Sequence, residues 1–170
     1  MKKTLKILGI DPGSRVTGYG VIQRDEKRAF TPIDCGCIRP PARLSLAARN
    51  KIIFEAVHTL LQKFCPDVLV VERPFILKIN PQSGLTLGMV YGVAMLPATL
   101  GEIPVYAYPP ARVKMATVGQ GNASKEQVKE MVRRQLLFNQ AAIPNDATDA
   151  LALALCHGNL REGEWERYKI

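Results

Sequence analysis

The chain begins with a short apolar run, Leu-Lys-Ile-Leu-Gly-Ile-Asp at 5–11, which breaks into Asp-Pro-Gly-Ser at 11–14. An apolar run closed by a turn tetrapeptide reads as a strand followed by a tight turn. Residues 18–23, Gly-Tyr-Gly-Val-Ile-Gln, resume an extended pattern, and the charged stretch 24–28 reads as a hairpin loop. A third strand is expected at 30–38, with Pro32 weakening its start because proline cannot donate to a ladder. Three strands on short connections predict an antiparallel meander.

The apolar positions then change period. Leu46, Ile53, Val57, Leu60 and Phe64 recur at helical spacings, which predicts an amphipathic helix ending before Pro66. Val-Leu-Val-Val at 68–71 has the continuous apolar pattern of a strand buried on both faces, and Glu72 follows it directly. A helix is expected over 82–100, a strand over 105–108, and helices over 112–118, 124–137 and 145–160. Ser124 followed by Gln127 has the spacing of a capping box. A meander followed by alternating helices and strands predicts an α/β fold, a mixed sheet flanked by helices. There is no internal repeat and no linker, so 1–160 reads as one domain and 161–170 as a polar tail.

Composition narrows the class of partner. With 170 residues, 47% hydrophobic and 22% charged, the chain is of single-domain length and globular, which excludes disorder as the main state. Lys and Arg number 23 against 15 acids, and the net charge of +8 favours a polyanion, either nucleic acid or an acidic membrane surface. The uncharged stretch 79–101 raises a membrane span. Pro81, Gln82, Ser83, Pro97 and four glycines within it favour a buried core helix instead. Cys35, Cys37, Cys65 and Cys156 include no Cys-x-x-Cys pair, so they give little support to a zinc site and read as small hydrophobes in a reducing compartment. Lys2 and Lys3 precede an apolar run too short for a signal peptide. A cytoplasmic protein with no membrane partner is the expectation.

Against so few acids, those at apolar positions stand out. Asp11 and Glu72 each end an apolar strand, and if those strands are parallel neighbours the two carboxylates share one sheet edge, where α/β folds bind ligands. Carboxylates brought together repel unless a proton or cation intervenes, and a hard cation with oxygen ligands meets that need. Asp146 and Asp149, three apart at the start of a helix, lie on one face of it. Each acid also has a plain structural reading: Asp11 as a turn residue before Pro12, Glu72 as a partner of Arg73, and Asp146 and Asp149 as first-turn acids behind an Asn145 cap. The loop Asp-Pro-Gly-Ser also fits the first phosphate loop of actin-like ATPases and sugar kinases, which need two lobes; Gly119–Gly121 is a weak second loop.

Four blocks in order, GIDPGSRVTGYGVI at 9–22, GCIR at 36–39, VVERPF at 70–75 and DATDALALALCH at 146–157, resemble the RuvC-type Holliday-junction resolvases over nearly the whole chain. The resemblance implies an RNase H-like fold, a five-stranded mixed sheet with helices on both sides. It implies a homodimer that binds four-way junction DNA and nicks two opposing strands symmetrically, in recombination and DNA repair, beside junction-binding and branch-migration proteins. It implies that Asp11, Glu72, Asp146 and Asp149 hold magnesium, or manganese as substitute, with Lys114 and Lys125 near the scissile backbone and Phe75 stacking on bases at the junction centre. Phosphodiester hydrolysis by two ions per site would then use Asp11 as the shared ligand. Lys125 would donate a hydrogen bond to the scissile phosphate in catalysis, and Arg15, Arg39, Arg43, Arg49 and Lys78 are further candidates for DNA phosphates. The apolar, glycine-rich helix at 84–100 is expected to serve as core on one side and dimer interface on the other, or else to be buried entirely within one monomer. A nuclease acting on another nucleic acid, such as an RNA–DNA hybrid, and a non-cutting binder of branched DNA are the competing functions. Glu162, Glu164 and Glu166 match no motif.

Overall fold

The structure, a computed structural model, describes residues 4–74, 81–137, 143–161 and 163–170. Its strands form one five-stranded sheet in the order β3-β2-β1-β4-β5. β1 (Leu5–Asp11), β2 (Thr17–Arg24) and β3 (Phe30–Ile38) make the predicted antiparallel meander. β4 (Val68–Glu72) and β5 (Val105–Tyr108) add in parallel beyond β1, so the sheet is mixed. Pro32 does not shorten β3. It pairs with Ile22 at a register shift next to Val21, on an edge strand that tolerates a missing donor.

Alternate residues of each strand serve opposite faces. Leu8, Ile10, Val21, Leu69 and Val71 are covered by α1 (Leu46–Phe64), on which α2 (Pro81–Leu100) is stacked. Ile7, Ile22, Val70, Tyr106 and Tyr108 are covered by α5 (Asn145–Asn159), with α3 (Pro110–Val118) and α4 (Lys125–Leu136) packed against it. The capping box forms as predicted: the Gln127 N–H donates to Ser124 Oγ at 3.2 Å, and the Ser124 N–H donates to Gln127 Oε1 at 2.8 Å. α3 begins two residues earlier than expected, because Pro110 sits at its first position, where proline's fixed φ suits a helix.

Of the two readings of α2, burial entirely within one monomer is excluded: only 22% of its most apolar stretch is covered, and Leu85, Met89, Leu96 and Leu100 are exposed. Val90, Ala94 and Ala98 are its buried side. It has the length and apolarity of a membrane span, yet this side is packed inside the fold. Residues 163–170, within the stretch read as a polar tail, lie against the domain. A 3-10 turn at Trp165–Tyr168 lies against β5, the Ile170 N–H donates to the Val105 carbonyl at 3.1 Å, and Lys169 bridges Tyr106. The aromatic rings that the composition hides are what hold it there.

Candidate active site

β1 and β4 pair through Ile10 and Val71, so the next residue of each strand, Asp11 and Glu72, stands at the same carboxyl edge of the sheet. The turn after Asp11 is held by two side chains through three hydrogen bonds. The Gly13 N–H donates to Thr17 Oγ1 at 3.3 Å, the Thr17 hydroxyl donates to the Gly13 carbonyl at 2.9 Å, and Nη1 of Arg49 donates to the Ser14 carbonyl at 3.1 Å. Thr17 is fully buried. Asp11 therefore projects from backbone with little freedom.

α5 crosses β1 and β2 with its first turn at this edge, bringing Asp146 and Asp149 to Asp11. Asn145 does not cap the helix. It is the first helical residue, and Pro144 occupies the cap position without a side-chain bond. Nor does Glu72 pair with Arg73 among the described residues; its charged neighbours are Asp149, Lys125 and Lys114.

The electrostatics tie the acids together. Burial, then Glu72, Asp149 and Asp146 in that order, push the Asp11 carboxyl up to about 7. Burial and Asp149 raise Glu72, while Lys125 and Lys114 oppose them. Burial raises Asp149 as well, although the Lys125 ammonium lies 3.5 Å from it. Asp149 in turn raises Lys125. Like charges held at one edge and out of water destabilise each other, and two lysines do not neutralise four carboxylates.

This donor set fits a hard divalent cation, since it is all carboxylate oxygen and its repulsion is what a cation would relieve. Among the described residues, no three His, Cys, Asp or Glu side chains are gathered tightly enough to close on one ion by themselves. The acids come from β1, β4 and α5, so a cation held here would take its oxygen ligands from three elements. The four cysteines are free thiols.

Of the other expected residues, Lys125 is the first residue of α4, Lys114 lies half-buried on α3 facing Glu72, and Arg15 is exposed just past the Asp11 turn. Phe75 and Lys78 fall outside the described residues. Arg49, expected on DNA, gives one of its donors to bracing the turn. Sequence reading missed Thr17, whose signal was a hydroxyl four residues after a turn glycine. It also missed the meaning of glycines alternating at 18 and 20, which in a strand mark close backbone approach.

A mixed sheet with acids ending two adjacent parallel strands, and two more on the helix crossing it, defines a nuclease of the RNase H-like class, whose hydrolysis depends on metal ions. The family model described as crossover junction endodeoxyribonuclease RuvC matches residues 7–157, which include all four acids. The crossover junction endodeoxyribonuclease RuvC of Protochlamydia amoebophila is 44% identical over 98% of this chain and 99% of its own. That of Brevibacillus brevis is 39% identical over 92% and 93%. The Thermus thermophilus RuvC structure aligns with a TM-score of 0.85 at 29% identity, covering 98% of this chain and 100% of that one. RuvC from the same organism in complex with Holliday junction substrate aligns at 0.86 and 28%, covering 98% and 99%. The chain belongs to the RuvC family of crossover junction endodeoxyribonucleases.

Proposed function

We propose that this chain resolves four-way DNA junctions by paired symmetrical nicks, with Asp11, Glu72, Asp146 and Asp149 holding two Mg²⁺ ions, or Mn²⁺ in their place. The observation that carries the site is the side-by-side placement of Asp11 and Glu72, with Asp149 acting on both. When bound, such ions lower the pKa of the attacking water and stabilise the leaving oxygen. Asp11, projecting from the braced turn, would be the ligand shared by both. Lys125 and Lys114 approach from α4 and α3, where their ammonium groups orient the scissile phosphate. Arg15 reaches the backbone beyond it. Phe75, outside the described residues, is assigned to base stacking on family resemblance alone.

Symmetrical cutting needs two active sites in fixed relation, which a homodimer supplies. The exposed face of α2 is the surface assigned to it: Leu85, Met89 and Leu96 are apolar, and a Cβ at Gly88 or Gly92 would meet nothing within 4 Å, so a second backbone can come close. Junction-binding and branch-migration proteins are the expected partners, in the cytoplasm. DNA affinity comes mainly from phosphate neutralisation and falls steeply with salt.

The test is incubation of a synthetic four-way junction with the protein, with Mg²⁺ or with chelator, beside Asp11→Asn. Linear duplex and RNA–DNA hybrid serve as competing substrates. Paired nicks in the junction alone, lost with chelator and in a variant that still binds, support the reading. Tight junction binding without cutting in any metal refutes it.

A further inference from the structure

The four acids come from elements far apart in sequence, so something must fix the height of α5 above the sheet. Gly18 of β2 is the register partner of Asp11. On the face toward α5, a Cβ built at Gly18 would run into the carbonyl oxygen and carbon of Asp146 and would stand 3.0 Å from the Ala147 nitrogen. Gly18 is thus paired with one acid and in backbone contact with the residue bearing another. Gly9, two residues before Asp11 on the same face, bears on the Ala150 carbonyl and lies 3.2 Å from the Ala154 nitrogen by the same construction. Both contacts are with helix backbone, which cannot turn aside as a side chain can.

We infer that Gly18 is a positioning residue of the active site: contact between its bare backbone and the first turn of α5 sets the spacing of Asp11 from Asp146 and Asp149, and so sets affinity for divalent cations. This rests on the metal-binding reading proposed above. A methyl group at Gly18 lifts the helix start at the acids themselves. A methyl at Gly158, near the other end of α5, would meet the Phe30 ring instead, a side chain that can yield. The two substitutions disturb the same helix, but only one moves the carboxylates.

The experiment is Mn²⁺ binding to the full chain without DNA, by electron paramagnetic resonance of the free ion, together with melting temperatures in chelator. Gly18→Ala is expected to weaken Mn²⁺ binding by about 10-fold or more, the usual effect of disturbing residues that orient ligands. Gly158→Ala should lose stability yet keep the unsubstituted affinity. Unchanged affinity in Gly18→Ala, or equal losses in both variants, overturns the inference while leaving metal binding intact. Failure of the unsubstituted protein to take up Mn²⁺ overturns the metal reading and this inference with it. If Gly18→Ala does not fold, Gly20→Ala replaces it. A Cβ there would meet Leu151 Cγ and Cδ2 at 2.7 Å and the Leu151 backbone nitrogen at 3.0 Å, so adding Leu151→Ala relieves the tighter, side-chain part of the wedge. Mn²⁺ affinity should then recover while the melting temperature falls further; affinity that merely follows stability downward overturns the inference.

Discussion

The hydroxyl of Tyr108 and Nδ1 of His157 share a hydrogen bond of 2.8 Å in the protein interior, joining the end of β5 to α5. Tyr108 is the register partner of Glu72, and its carbonyl accepts from the Arg73 N–H at 2.8 Å. The strand beside one acid is thereby fastened to the helix that carries two others. The imidazole stacks on the Trp165 ring at 4.5 Å and lies tilted against that of Tyr106 at 4.6 Å.

Burial, and then Arg24, push His157 down to about 3, so its ring is neutral in the fold. The unfolded chain takes up this proton below about 6.5, whereas the folded protein does so only near 3. Its contribution is therefore complete above pH 6.5 and is lost as pH falls toward 3. His157→Phe leaves the Tyr108 hydroxyl unpaired, at about 1–3 kcal/mol at pH 7. The gap from the unsubstituted protein should narrow in urea titrations at pH 5. A gap that widens in acid would mean the ring is charged.

The final residues should behave as part of the domain. The Trp165 Nε1–H donates to the His157 carbonyl at 3.2 Å, Tyr168 lies 4.5 Å from the Tyr108 ring, and Arg24 stands over Trp165 at 5.7 Å. Removing 165–170 exposes an edge strand and the aromatic cluster beneath it. The melting temperature should fall by several degrees and light scattering on heating should rise. An unchanged melting curve would show that this segment holds nothing.

The elements were legible because each carried a local signal. Ser124 with Gln127 marked a helix start, Val68–Val71 a strand buried on both faces, and Asp11 with Glu72 the shared edge of two parallel strands. What stayed hidden depends on partners distant in sequence. Arg24 and Trp165 are polar-segment residues until the fold stacks them, and Arg49 looked like any surface base before the Ser14 carbonyl was placed beside it. The apolarity of α2 announced burial, but no pattern along the chain states whether an apolar face is covered by its own domain.

Lys125 should separate catalysis from stability. Its side chain is 75% exposed, so loss of its pair with Asp149 changes unfolding free energy by no more than about 1 kcal/mol. Its ammonium nonetheless lowers the pKa of Asp11 and Glu72. In Lys125→Met both acids hold their protons to higher pH. Junction cutting should slow on the order of 10–100-fold, with the acid limb of its pH profile displaced upward. Lys125→Arg should recover part of the rate. An unmoved profile would leave Lys125 as a surface residue with no part in the site.

Asp11 offers the sharpest contrast between a catalytic acid and a structural one. Its folded pKa of about 7 exceeds its ordinary 3.8, so between those values the folded protein holds a proton that the unfolded chain has released. Stability therefore falls as pH rises through that window, and above pH 7 the ionised group is a standing penalty. Each pKa unit is worth ~1.4 kcal/mol, which makes the penalty a few kcal/mol at most. Asp11→Asn removes the charge but keeps the shape. In chelator, the variant should match the unsubstituted protein near pH 4 and melt progressively higher than it toward pH 8. Mg²⁺ should close the difference from the other side, because it stabilises only the protein that retains the carboxylate. Lower melting of Asp11→Asn at pH 8 in chelator would instead mean that the carboxylate holds the fold together, and the metal assignment would fail with it.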